Sequence, residues 1–170
     1  MKPILVLCLG NEVLSDDSFG YHVHNRLRES FQSSETADIE FSSIAGFTLI
    51  DVLQERRHVL IVDAISTGAK AGLLHFFEAS LLTPSRHLVN SHQISLPSAI
   101  SLGIQFGLDM PERIDVLAVE AQDIETLSES MTLPVAHALG EACDRVLQWV
   151  NGRSQELTSP PMLPEAILSH

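Results

Sequence analysis

Asp16 and Asp17 are adjacent acids in the stretch Gly10-Asn11-Glu12-Val13-Leu14-Ser15-Asp16-Asp17-Ser18-Phe19-Gly20. A third acid, Asp63, closes the apolar run Val59-Leu60-Ile61-Val62, and His92 lies within Val89-Asn90-Ser91-His92-Gln93. Carboxylates gathered in one crevice must bind a cation, share a proton or face water, because each ionised group raises the pKa of the other. Two carboxylates and one imidazole make a mixed oxygen and nitrogen donor set, which suits a borderline divalent ion such as Zn²⁺ or Ni²⁺. Three protein ligands would leave positions open for water or substrate. The thiolates of a structural zinc site are missing, as is the H-E-x-x-H signature of a helix-borne zinc peptidase.

The elements that must position these residues follow from hydrophobic patterning. Pro3 to Leu9 is apolar almost throughout, as expected of a central strand covered on both faces. Ser18 to Ser30 has a helical period through Phe19, Val23 and Leu27, with Asp16 or Asp17 available as an N-cap. Ile39 to Ile44 reads as a weaker strand nearer an edge, Phe47 to Leu53 as a short helix, and His58 to Ala64 as a second buried strand. Leu73 to Phe77 follows that strand too closely for a helical crossover, so it is expected to run antiparallel. Pro97 to Phe106 reads as a helix, Arg113 to Val119 as the last strand, and Thr132 to Val150 as the strongest amphipathic helix. This order predicts a three-layer α/β domain. In such sheets ligands bind beyond the carboxyl ends of the strands, where the loops bearing Asp16, Asp17 and Asp63 belong. His92 precedes a helix, as a residue on such a loop would. The other seven histidines sit on helices, in strands, in a polar loop or at the terminus.

Residues 1–150 are expected to form one domain. Beyond Asn151 the pattern gives way to Gly, Ser, Pro and polar residues, so 151–170 is expected to be a mobile extension, with Met162 to Leu168 as its one helical candidate. A formal charge of −12, from 22 acidic and 10 basic side chains, disfavours a nucleic-acid partner. No apolar run reaches the roughly 20 residues that span a bilayer, so no membrane insertion is expected. The first apolar run lacks a signal-peptide cleavage pattern, which makes the cytoplasm the expected compartment. Cys8 and Cys143 fall on apolar faces and read as buried hydrophobes.

Several readings of the acids stay open at this point. Asp17 capping a helix and Asp63 paired with an arginine would account for each acid alone. A phosphorelay receiver also gathers acids at this edge, but it needs a lysine where this chain has Val119-Glu120. A metal-binding accessory protein without catalysis would use the same cluster.

Taken together, Gly10-Asn11 through Asp16-Asp17 to Gly20, Val62-Asp63-Ala64 and Ser91-His92-Gln93 resemble the hydrogenase maturation endopeptidases. Gly68 to Gly72, Pro111-Glu112-Arg113 with Glu120 at the far end of that strand, and Leu133-Pro134-Val135 add to the likeness, which covers roughly residues 3 to 150. The resemblance implies a twisted, mixed five-stranded sheet between helices with one antiparallel strand. It also implies an endopeptidase that removes a C-terminal extension from the nickel-loaded large-subunit precursor of a nickel-iron hydrogenase. Asp17, Asp63 and His92 would contact the metal, and Asp16 is a candidate general base. Nickel would arrive with the substrate, although another divalent metal could occupy the site in vitro. Ser18, where many members have Gly, and the proline-bearing tail depart from the family pattern. Neither the sequence nor the resemblance sets an oligomeric state.

Overall fold

The computed structural model describes residues 1–43, 48–79 and 96–158. Its five strands are β1 (Ile4–Leu9), β2 (Ala37–Ser42), β3 (His58–Ile65), β4 (Leu74–Glu78) and β5 (Arg113–Glu120). The helices are α1 (Phe19–Gln32), α2 (Thr48–Leu53), α3 (Leu96–Gln105) and α4 (Leu133–Thr158). The sheet order is β2-β1-β3-β5-β4. Four strands are parallel and β4 is antiparallel to β5, with His75 opposite Ala118. The expected edge position of β2 and the antiparallel sense of β4 are both observed.

Strand alternation sorts the core into two layers. Val6, Cys8, Leu60, Val62, Leu117 and Val119 meet α1 and α4 on one face. Leu5, Leu7, Ile61, Val116 and Ala118 meet α2 and α3 on the other. Burial of β1 and β3 on both sides keeps them apolar except for His58 and Asp63 towards the two ends of β3. On α1, Phe19, Val23, Leu27 and Phe31 form the buried stripe.

Three expectations need correction or qualification. First, α4 does not end near Val150 but runs to Thr158, so the first eight residues of the supposed extension are helical. Tertiary partners carry the helix past Gly152. Arg153 lies 3.6 Å from the buried Asp115 and Ser154 Oγ is 2.8 Å from Thr36 Oγ1, while Leu157 packs on the core. Residues 159–170, including the helical candidate Met162 to Leu168, lie outside the described residues. Second, neither Asp16 nor Asp17 caps α1. Ser18 takes the cap position without a side-chain cap bond, and the two acids form a short 3₁₀ turn before it. Third, Ile44 and Phe47 lie outside the described residues, so β2 and α2 are described only to Ser42 and from Thr48.

Candidate functional site

Two glycines press the first loop onto the end of β1. Gly10 has φ +140°, and a Cβ there would stand 2.0 Å from the Asp17 main-chain oxygen. A Cβ on Gly20 would stand 2.1 Å from the Leu9 oxygen. Only glycine allows these approaches. The clamp is completed by the Asn11 N–H, which donates to the Asp17 main-chain oxygen at 3.1 Å. Asp17 is therefore folded back over the carboxyl end of β1 rather than released to solvent.

The two adjacent acids have opposite environments. Asp16 is fully buried and saturated with donors. Its Oδ2 accepts the N–H groups of Gln122 and Asp123 at 2.8 and 2.9 Å and the Thr132 hydroxyl at 3.0 Å, and its Oδ1 accepts the Thr132 N–H at 2.7 Å. It ties the loop after β5 to the loop after β1. A backbone bridge between Leu14 and Leu127 extends the same seam. Asp17 is also buried, yet neither of its carboxylate oxygens has a hydrogen-bond partner among the described residues. Burial raises its pKa, with the nearby Asn11 amide opposing the rise.

Asp63 completes the acid pair. β1 and β3 are direct neighbours, with Cys8 opposite Val62, so the two loops converge at one edge. Alternation places Asp63 on the α2/α3 face, in line with Ile61 and Ile65. Among the described residues its Oδ1 accepts the N–H of Ala64, at 2.8 Å. Burial pushes its pKa up to about 7, the Ala64 amide opposes this, and the negative charge of Asp17 adds to it. Among the described residues, no cation pairs with Asp17 or Asp63. An arginine partner for Asp63 is thus not found there.

His92 lies outside the described residues, four positions before α3 begins. The structure thus brings Asp17 and Asp63 together and gives Asp16 a different set of partners. Among the described residues no group of three His, Cys, Asp or Glu side chains forms a ready metal cage. An orphaned, buried carboxylate beside an acid of elevated pKa nevertheless has the donor chemistry that a divalent cation needs.

Sequence reasoning gave little weight to the contacts of Glu120 and His75. Glu120 is buried at the end of β5, where its Oε2 lies 2.9 Å from His75 Nε2. Its Oε1 receives three main-chain N–H groups from the loop after β3. The spacing of Glu120 from Thr67 and Gly68, more than 50 residues, hides this from any local pattern.

The open α/β sheet thus presents two buried acids at the carboxyl edge of its strands, where sheets of this kind bind their ligands. Residues 21–149 match the HycI model, described as hydrogenase maturation protease, and the chain belongs to this family of peptidases. The match begins just after the loop holding Asp16 and Asp17. Over 174 residues the chain is 25% identical to the hydrogenase expression/formation protein HupD of Rhizobium leguminosarum bv. viciae, covering 96% of this chain and 85% of the relative. The hydrogenase 2 maturation protease of Escherichia coli is 25% identical over 126 residues, covering 72% of this chain and 75% of that one. The structure of the hydrogenase maturating endopeptidase HybD from E. coli superposes with a TM-score of 0.73 at 23% identity, covering 90% of this chain and 94% of that one. That likeness establishes the shared fold.

Proposed function

We propose that this peptidase removes a C-terminal extension from the nickel-loaded large-subunit precursor of a nickel-iron hydrogenase. In this reading Asp17, Asp63 and His92 engage nickel that the precursor carries. The observation that supports it most directly is the Asp17 carboxylate, buried beside Asp63 with neither oxygen partnered among the described residues. A buried polar group without a partner costs stability, so its persistence favours a role in binding.

Nickel is part of the substrate here rather than a resident cofactor. Its arrival would relieve the repulsion between the two acids and displace the proton that Asp63 holds near neutrality. Held by Asp17, Asp63 and His92, the cation would supply Lewis-acid chemistry for the scissile carbonyl or for a water. Alternatively, an acid near pH 7 accepts the water's proton while the metal holds the chain in place. Asp63 is better suited to that proton transfer than Asp16, because donors already occupy both Asp16 oxygens. We therefore assign Asp16 to fixing the loops. Metal-dependent cleavage makes proteolysis a checkpoint on metal insertion, and a cytoplasmic location accords with the free, buried state of Cys8 and Cys143.

The test is cleavage of purified precursor followed by intact-mass analysis. Nickel-loaded precursor should be shortened and nickel-free precursor should resist. Asp17→Asn, Asp63→Asn and His92→Ala should each lower the rate by more than about 100-fold while the protein stays folded. Normal processing by Asp63→Asn would overturn the site assignment, and equal cleavage of nickel-free precursor would overturn the checkpoint.

A further inference from the structure

The loop leaving β3 combines exposure with a dense set of hydrogen bonds. Residues 66–70 are all exposed, yet they begin only three positions after Asp63. The N–H groups of Thr67, Gly68 and Ala69 converge on Glu120 Oε1 at 2.7, 2.9 and 3.2 Å. Successive amides aimed at one oxygen form an anion nest, and here the chain fills it with its own carboxylate. The other oxygen, Oε2, accepts the Thr67 hydroxyl at 2.8 Å and is bound by His75 at 2.9 Å. Burial would raise the Glu120 pKa, but donation from Thr67, His75 and Gly68 outweighs it and holds the carboxyl below the usual glutamate range.

The main chain closes the loop from its far side. Gly72 N–H donates to the Glu120 oxygen and Glu120 N–H donates to the Leu73 oxygen, both at 2.8 Å. Gly72 has φ +82°, and a Cβ there would stand 2.4 Å from the Pro134 oxygen at the start of α4. Register then relates the loop to the acids. Asp63 pairs with Ala118, which pairs on its other side with His75, and Glu120 pairs with Ile65. Alternation puts Asp63, Ala118, Glu120 and His75 on the same face of the sheet. In the strand register the small Ala118 stands between His75 and Asp63.

These bonds satisfy the buried carboxylate and at the same time hold the exposed loop in one shape. From these contacts we propose that Glu120 is a positioning residue for client recognition, filling the amide nest so that loop 66–70 is pre-formed as the surface on which the precursor polypeptide docks beside Asp63. The proposal rests on the peptidase reading above. Pre-organisation lowers the ordering cost of binding, so loss of the anchor weakens precursor binding and leaves chemistry at the acids intact.

Steady-state cleavage of the nickel-loaded precursor by Glu120→Ala tests this. KM should rise about tenfold with kcat held within about twofold, equivalent to re-fixing roughly one residue's backbone freedom on each binding event. Formate, small enough to enter the emptied nest, should restore KM in a saturable way, and uncharged formamide should not. A purely structural role would lower the active fraction, and hence apparent kcat, without moving KM. Glu120→Gln keeps an oxygen for the nest but sets an amide N–H₂ against His75 and Thr67. It should raise KM by a smaller factor, and it decides the matter if the alanine variant does not fold. Unchanged KM in a folded variant, or a loss confined to kcat, would overturn the proposal. Asp63→Asn run in parallel separates the two ideas. If it cleaves normally, the site reading fails. If it is inactive while KM is unmoved in the Glu120 variants, only this inference fails.

Discussion

Asp16 and Asp17 are neighbours in the chain, equally buried, and opposite in energetics. Asp16 accepts four hydrogen bonds from residues 122, 123 and 132, whereas Asp17 accepts none at its carboxylate among the described residues. The same contrast separates Asp115 from Asp63. Asp115 is fully buried but held by Arg113 at 2.8 Å and by Trp149 Nε1 at 2.8 Å. Among the described residues, the hydrogen-bond donor to Asp63 is the amide of Ala64. Buried acids in this molecule therefore fall into two kinds. One kind is matched by donors and holds the fold together. The other is left short of partners at the carboxyl edge of the sheet, where the chain bears a stability cost that a cation would relieve.

The contrast is sharpest in its pH dependence, tested on protein freed of metal with a chelator. An unfolded Asp63 ionises near 3.8, whereas the folded one holds its proton to about 7. Between those values the folded state binds more protons than the unfolded state, so stability falls as pH rises through that window and levels off above it. Asp63→Asn removes the effect. The stability advantage of the variant should grow between about pH 4 and pH 7, towards an upper bound of about 4 kcal/mol. Asp17→Asn should act in the same direction, since burial raises its pKa too. Thermal melts across pH would break the comparison if either variant were less stable than the native chain at pH 8.

Asp16→Ala should do the reverse. It strands four donors in the interior and should cost about 3 kcal/mol, a loss of roughly 6–12 °C in melting temperature for a chain of this size. A melt unchanged by Asp16→Ala would remove the distinction between the two acids. The smallest effect concerns added metal. A divalent ion such as Ni²⁺ at 100 times its dissociation constant should stabilise the native chain by about 2.7 kcal/mol, and should do so far less in Asp17→Asn and Asp63→Asn. Equal stabilisation of all three would place the ion elsewhere.

Much of the frame was legible from local pattern. The apolar runs of β1 and β3 record burial on both faces, and the short link between Ile65 and Leu74 left room only for an antiparallel strand. Family resemblance then singled out Asp17 over Asp16, a choice that residue type and spacing alone leave open. What separates them physically lies far away in the chain, because the donors to Asp16 come from more than 100 residues downstream. The end of α4 was hidden for a similar reason. Gly152 weakens the helical pattern locally, and the helix persists through the contacts of Arg153 with Asp115 and of Ser154 with Thr36. Glu120 was read mainly as the absence of a lysine, and its nest becomes visible only once β5 and the loop after β3 lie side by side.

The seam made by Asp16 has one further consequence. It joins the loops after β1 and β5 through main-chain groups, the Asp16 carboxylate and the Thr132 hydroxyl, while the outward side chains Val13 and Leu127 stay 48% and 77% exposed. Side chains on that rim are therefore free to be exchanged without shifting Asp17. Under the proposed function, the rim could then change which client it meets while Asp17 keeps its place at the end of β1.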